Sequence, residues 1–372
     1  MKNNNTSNIK VAFAALDPYL TTNLVENVEK KISGKDFISW GEDNAYPNYL
    51  YSLYKKVPTL GSIINACSDY TKGNGVICNI QSLSFTINEK NETIDDLIDK
   101  ISLDYWIFGS FAIQVIKDFL GNITELYHIP ILRLRSNEDN SVFFYSDDWS
   151  KSYGRVKYII YPKYQFGDGN ATSIFYFKDN TAITTYGNPI WESSVIAAEI
   201  EKSINEFHLN EINNNFLTSK IINLNNGVPD DNLKEEIEKN INEKFSGKDN
   251  AGRLMIIFNE NADNAATVSD LSQDDFDERY TALSERSKSQ LFVAFRCTPN
   301  LIGYPNETTG FNTQEYADAF KLFNRTVIQP VQKNIIKSFD KIFNTKDSIS
   351  IKPFSLEDSD KAEITTTEKN II

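Results

Sequence analysis

Residues 274–303 read DDFDERYTALSERSKSQLFVAFRCTPNLIG, and the fold turns on this stretch. Phe276, Tyr280, Leu283, Leu291 and Phe295 recur at helical intervals, which predicts a long helix over Asp274–Phe295. Cys297–Asn312 follows, with Gly303, Pro305 and Gly310. It is longer than an ordinary connection between helices, which marks it as functional or mobile. A third helix is expected from Thr313 to about Phe343, with Pro330 inside it. Upstream, Trp191 to about Asn215 predicts a matching long helix carrying Val195, Ile196, Ala198, Ile200, Ile204, Phe207 and Leu209. Between the two long helices stand strand candidates Ser219–Leu224 and Arg253–Phe258, a tight turn at Asn225-Asn226-Gly227, a charged helix Asp231–Lys244 and an acidic loop Asn259–Ser272. Two long helices therefore bracket one small α/β unit.

The preceding half has a different texture. Residues 1–35 are polar and Asn-rich, and are expected as a mobile arm with one short helix near Thr22–Lys31. Leu50–Tyr70 reads as a core-packed helix ended by Gly73-Asn74-Gly75. Thr93–Phe108 repeats the pattern, with Thr93 as cap and Gly109 as terminator. Ser110–Lys117, a turn around Gly121 and Ile123–His128 form a hairpin signature. Ile131–Arg135 continues with alternating sidedness, and strand candidates follow at Ser141–Tyr145, Val156–Tyr161 and Ser173–Phe177, with Gly167-Asp168-Gly169 as a loop. Helices followed by antiparallel strands give an α+β class.

Composition excludes several functions. Hydrophobic residues at 40% and charged residues at 24% suit an ordinary folded chain. The 51 Asp+Glu against 38 Lys+Arg, a net charge of -13, argue against a protein that coats itself in nucleic acid by neutralising phosphates. Cys67, Cys78 and Cys297 form no C-x-x-C pair, so neither a disulfide framework nor a zinc knuckle is read and a reducing cytosol fits. Val11–Leu16 is too short for a signal-peptide core, and no apolar run is long enough to span a membrane, so no membrane association is expected.

Chemistry-bearing motifs are sparse. The two histidines, His128 and His208, offer little for a triad or metal site, and the P-loop, nucleophile-elbow and dinucleotide fingerprints are absent. Asp274, Asp275, Asp277 and Glu278 are enough carboxylates for divalent metals, but acids in the first turn of a helix are already favoured by its dipole. Arg279, Arg286 and Lys288 are interleaved with Asp277, Glu278 and Glu285, a mixture typical of a salt-bridged surface rather than a phosphate grip. No catalytic residue, metal or cofactor is assigned.

Read in order, several segments carry a resemblance. They are Phe207-His-Leu-Asn210, Asn215-Phe216, Lys244-Phe245-Ser-Gly247, Asn250-Ala251-Gly252-Arg253 and Leu283-Ser284-Glu285. After them come Phe295-Arg296, Thr298-Pro299-Asn-Leu301-Ile-Gly303, Thr309-Gly310-Phe311-Asn312 and Val327-Ile328-Gln329-Pro330-Val-Gln332. Upstream stand Phe108-Gly109-Ser-Phe111-Ala112 and Gly121 through Ile129-Pro130. Over roughly residues 40–345 the chain resembles the portal proteins of tailed bacteriophages and prophages, through ordered co-occurrence rather than any single motif.

The resemblance implies a wing over 36–187, a first stem helix over 188–218, a clip over 219–272 and a second stem helix over 273–296. A tunnel loop over 297–312, a long inner-wing helix over 313–345 and a short tail over 346–372 with a reduced or absent crown complete it. It implies a non-enzymatic ring of about twelve copies at one capsid vertex of a virion, made in the bacterial cytoplasm, a head–tail connector that passes double-stranded DNA without sequence preference during packaging and ejection. It implies partners in the terminase large subunit, head-completion proteins, and the major capsid and scaffold proteins. It places Asn300, Tyr304, Asn306, Glu307, Thr308 and Thr309 at the DNA-facing loop and Asp277, Arg279, Arg286 and Lys288 on the stem. Asn226, Gly227, Gly247, Asn250, Gly252 and Arg253 fall in the docking clip. The alternatives are a metal-dependent nucleic-acid enzyme built on Asp274–Glu278 and a non-viral ring-forming structural protein.

Overall fold

Proline and glycine punctuate the helices of the first half. Tyr46–Lys56 (α1, following the strands Glu29–Lys31, β1, and Ile38–Trp40, β2) ends at Val57, whose φ of -104° and ψ of 105° are the extended values imposed on a residue before proline. Pro58–Lys72 (α2) restarts at once, so the expected single helix over 50–70 is two. After Val76–Cys78 (β3), Ile94–Phe108 (α3) begins on a capping box, Thr93 accepting from the Asp96 amide while the Asp96 carboxylate accepts from Thr93. Gly109 closes it in the left-handed conformation, φ 70°.

The computed structural model describes residues 27–31, 36–149, 156–179, 184–213, 220–224, 230, 233, 254–258, 274–304 and 313–354. Outside them lie residues 1–26, the turn at 225–227, the charged helix 231–244 apart from Leu233, the acidic loop 259–272, residues 305–312 and the tail from 355. Two units divide the chain: residues 1–23 with 200–285, and residues 24–199 with 286–372.

In the larger unit the expected hairpin forms: Ser110–Lys117 (β4) pairs antiparallel with Ile123–Ile129 (β5), with a bulge at Ile116/Lys117. The sheet gains a third strand, Thr172–Lys178 (β9), on the other side of β4. Because β4 is central and covered on both faces, Phe111, Ala112, Ile113 and Val115 are all fully buried. The second sheet orders Leu134–Ser136 (β6), Val142–Tyr145 (β7) and Ile159–Pro162 (β8), all antiparallel. The strand expected over 131–135 starts late, because Pro130, φ -59°, leads into one turn of 3-10 helix over Ile131–Arg133.

Arginine is seldom found fully buried unless it is paired. Arg135 is nonetheless fully buried, donating to the Asn44 side chain at 2.6 Å and to the Asn44 and Leu134 carbonyls at 2.7 Å, with Trp149 5.0 Å from its guanidinium. Hydrogen bonds from all three guanidinium nitrogens and an aromatic face offset the desolvation that this position imposes.

Both ends of this unit depart from expectation. Glu29–Lys31, expected in a helix of a mobile arm, is a strand antiparallel to β2, and the Glu29 carboxylate accepts from the Thr185 and Tyr186 amides at 2.8 Å. Ile349–Ile351 (β12), expected within the tail, pairs antiparallel with β3, and Phe354 lies edge-on to Tyr70 at 5.0 Å. The Glu29–Thr185 contact and the β12–β3 pairing, each between segments more than 150 positions apart, follow from the closed fold, not from a three-residue pattern.

The two long helices form as expected. Val195–Asn213 (α4) follows a 3-10 turn after the fully buried Trp191, and Asp274–Phe295 (α5) matches its predicted ends. Each begins in one unit and ends in the other. In the smaller unit, Lys220–Leu224 (β10) and Leu254–Phe258 (β11) pair in parallel, which obliges the intervening chain to cross over. Phe207 of α4 meets Tyr280 of α5 there at 4.9 Å.

The third helix is broken. Thr313–Phe323 (α6) and Gln329–Phe343 (α7) are joined by a π-helical turn, Asn324–Ile328, in which the Gln329 amide reaches back to the Asn324 carbonyl. Pro330 has no N–H to donate and would clash one turn back in a regular helix. The wider turn accommodates it.

Candidate functional site

The end of α5 leads into residues 297–304, the described part of the expected tunnel loop. α5 terminates by a Schellman arrangement: the Cys297 amide donates to the Phe292 carbonyl and the Arg296 amide to the Val293 carbonyl, both at 3.1 Å. Arg296 occupies the left-handed position, φ 54°, where glycine is usual. Thr298 is extended, Pro299–Ile302 makes a 3-10 turn, and Gly303, φ 76°, reverses the chain so that the Tyr304 amide returns to the Pro299 carbonyl at 3.1 Å.

This base is clamped from beneath. Buried Leu301 presents its carbonyl to the Tyr70 hydroxyl at 2.6 Å, and Tyr70 is boxed by Phe320, Phe323 and Phe354. Burial, helped by a hydrogen bond involving Tyr316, pushes the Tyr70 phenol above its ordinary value, so it remains a donor. α7 adds a hydrogen bond from the Gln332 side chain to the Thr71 carbonyl at 3.0 Å. Trp106 donates to the Thr71 hydroxyl at 3.0 Å, and Trp191 donates to the Trp106 carbonyl at 2.9 Å. Burial pushes the Cys297 thiol up to about 12, which keeps it an uncharged core group rather than a nucleophile.

Among the expected loop residues, Asn300 is half-buried in the 3-10 turn and Tyr304 is 39% exposed; Asn306, Glu307, Thr308 and Thr309 lie outside the described residues. On α5, Lys288 is half-buried with its ammonium 5.8 Å from the Tyr304 ring, and Phe292 lies 6.2 Å from the same ring. Arg286 and Arg279 are exposed; the Asp277 backbone is helical and its side chain lies outside the described residues. All the expected clip residues, Asn226, Gly227, Gly247, Asn250, Gly252 and Arg253, lie outside them too. The structure thus gathers Lys288, Phe292 and Tyr304 into one cluster that sequence spacing did not unite. Sequence reading also missed the Tyr70 clamp, which joins residues more than two hundred positions apart.

Among the described residues no three His, Cys, Asp or Glu side chains are grouped as a metal site, and Glu278 of the acidic run is exposed on the helix surface. His128, at 2.7 Å from Asp104, is tied to a carboxylate that also accepts from the Ile131 amide. That geometry fixes a strand end. No helix among the described residues is long and apolar enough to cross a membrane.

Solved structures share this fold at low identity. One is in the virion of a native gene transfer agent particle (16% identity, 87% of this chain and 88% of that chain, TM-score 0.52), and one in the neck of a native gene transfer agent particle computed with C12 symmetry (16%, 87% and 88%, TM-score 0.52). An HK97-family phage portal protein from Corynebacterium diphtheriae aligns at 10% identity over 80% of this chain and 92% of that chain, TM-score 0.48. No curated protein sequence matches significantly. The sequence profile of the phage portal proteins, by contrast, matches residues 66–367, most of the chain, and the protein accordingly belongs to the phage portal protein family.

Proposed function

We propose that copies of this chain assemble as a ring of about twelve, the symmetry of the neck that its fold resembles, at one vertex of a phage-like capsid. The observation that carries this reading is the family match over residues 66–367. The ring is the channel for packaging and ejecting double-stranded DNA, and the protein acts structurally, without a catalytic centre or cofactor.

Within the subunit, residues 36–187 are the wing, 188–218 and 273–296 the stem, 219–272 the clip, 297–312 the tunnel loop and 313–345 the inner-wing helix. α4 and α5 passing between the two units, with a parallel β10–β11 pair between them in sequence, support that division. Apolar side chains left uncovered on these helices support assembly: Leu209 and Ile212 on α4 are more than half exposed, and Val293 on α5 is 77% exposed. The clip, with Asn226, Gly227, Gly247, Asn250, Gly252 and Arg253, receives the terminase large subunit and later the head-completion proteins, and the wing meets the capsid and scaffold proteins.

DNA must slide through such a channel. A wall drawn from a chain of net charge -13 releases few counterions and grips phosphate weakly, which suits passage. The loop from Asn300 and Tyr304 through Asn306, Glu307, Thr308 and Thr309 brushes the duplex, and Asp277, Arg279, Arg286 and Lys288 shape the field along the stem. Negative-stain electron microscopy with mass determination tests the assembly. A ring of about twelve copies with an axial hole wide enough for a duplex is expected. A monomer at every concentration and salt, alone and with head proteins, would overturn it.

A further inference from the structure

A cavity of about 650 Å³ lies in the larger unit, lined by the start of β7 with the turn before it, β9 with the segment before it and one face of α7, and shares no residue with the tunnel-loop base. Its floor is aromatic, with Phe143, Phe175 and Tyr176, and no Asp or Glu lines it. Its rim is basic. Lys178 is engaged with the Thr184 carbonyl and has Glu29 near it. Lys163, Lys337 and Lys341 are exposed and take part in none of the ion pairs among the described residues. Lys337 and Lys341 stand one turn apart on α7, where like charges repel. A chain whose acids outnumber its bases by 51 to 38 has gathered unpaired cations into one concave place.

We propose that this cleft receives a carboxylate-bearing segment of a neighbouring copy of the chain, its acids against Lys163, Lys337 and Lys341 and an apolar side chain on the aromatic floor. The inference rests on the ring reading above. Identical copies of net charge -13 repel one another, so their contact needs a local region of opposite sign, and every neighbour is rich in carboxylates. A recess on one face answered by an acidic segment on another is a head-to-tail contact, the type that closes into a ring. The recess has room for a few side chains and not for a duplex, so passing DNA is the poorer occupant.

The test compares wild type with K337E/K341E and with K163E, all substitutions at exposed positions. Circular dichroism and melting check the fold, mass determination and negative stain read assembly, and carbodiimide coupling followed by mass spectrometry reads lysine–carboxylate contacts between copies. Wild type is expected to form rings with couplings from Lys337 or Lys341 to a neighbour's acid. The variants are expected to melt normally while self-association falls about tenfold or more. Should the folded variants ring as well as wild type, or couplings avoid the cleft lysines, the cleft assignment falls while the ring stands. Wild type that neither assembles nor couples through these lysines at any concentration would sink both. If a short oligonucleotide bound wild type and shielded these lysines from acetylation, but did not bind K337E/K341E, the cleft would be a nucleic-acid site and the proposal wrong.

Discussion

Asp168 and Lys117 pair in a region where both side chains are largely shielded, 15% and 4% exposed. Burial alone would raise the Asp168 carboxyl, but the hydrogen bond and charge of Lys117, with Asn170, hold it below its usual value. A depressed folded-state value means stabilisation present above the unfolded value of about 3.9 and lost as pH falls through the folded one. Asp168→Asn is therefore expected to cost about 3 kcal/mol at neutral pH by urea denaturation, leaving Lys117 buried without its counter-charge, with the gap to wild type closing in acid. An equal gap at all pH would contradict an ionic contribution. Arg296 is a second residue-scale case. Its left-handed φ of 54° at the Schellman position disfavours any side chain, so Arg296→Gly is expected to stabilise by up to about 1 kcal/mol. A loss of stability would show that the arginine side chain contributes more than its backbone strain costs.

Element boundaries are where local chemistry and packing can be separated. Gly109 and Gly121 both have positive φ, 70° and 86°, yet a Cβ on Gly121 meets open space, while one on Gly109 runs into the Asn188 carbonyl. Gly121→Ala is expected to cost about 1 kcal/mol, the left-handed penalty alone. Gly109→Ala should cost about 3 kcal/mol or more, because the clash with backbone adds overpacking to the same penalty. Thermal or urea unfolding of the two variants side by side decides it, and equal costs would mean that Asn188 yields freely. Both glycines were legible as turn and cap residues. The proximity of Asn188 to Gly109 was not, because it depends on how the segment before Trp191 folds back on the α3–β4 junction.

For the whole molecule, the balance of charge sets how it meets DNA. With net charge -13, non-specific affinity for a duplex at physiological salt is expected to be negligible: fluorescence anisotropy of a labelled duplex should show no binding at about 10 μM protein. Tight binding that weakened steeply with salt would refute a sliding contact and favour a phosphate grip at Arg279, Arg286 and Lys288. The same acidity makes the lysine-lined cleft stand out only once the chain is folded. Lys337 and Lys341 are visibly one turn apart in the sequence, but Lys163 reaches them through tertiary structure alone.

Sequence determined what depends on neighbours along the chain. The ends of α3 and α5, the β4–β5 hairpin and the long helices on either side of the small unit were readable because caps, glycines and 3.6-residue periodicity act over a few residues. Ordered motifs over most of the chain were enough to point to the portal family. Tertiary structure alone decided the anchoring of Glu29 on the Thr185 and Tyr186 amides, the pairing of β12 with β3, the burial of Arg135 and the clamp of Tyr70 on Leu301. Each joins partners whose local sequence is compatible with several conformations. Their free energy comes from desolvated contacts that exist only when distant segments meet.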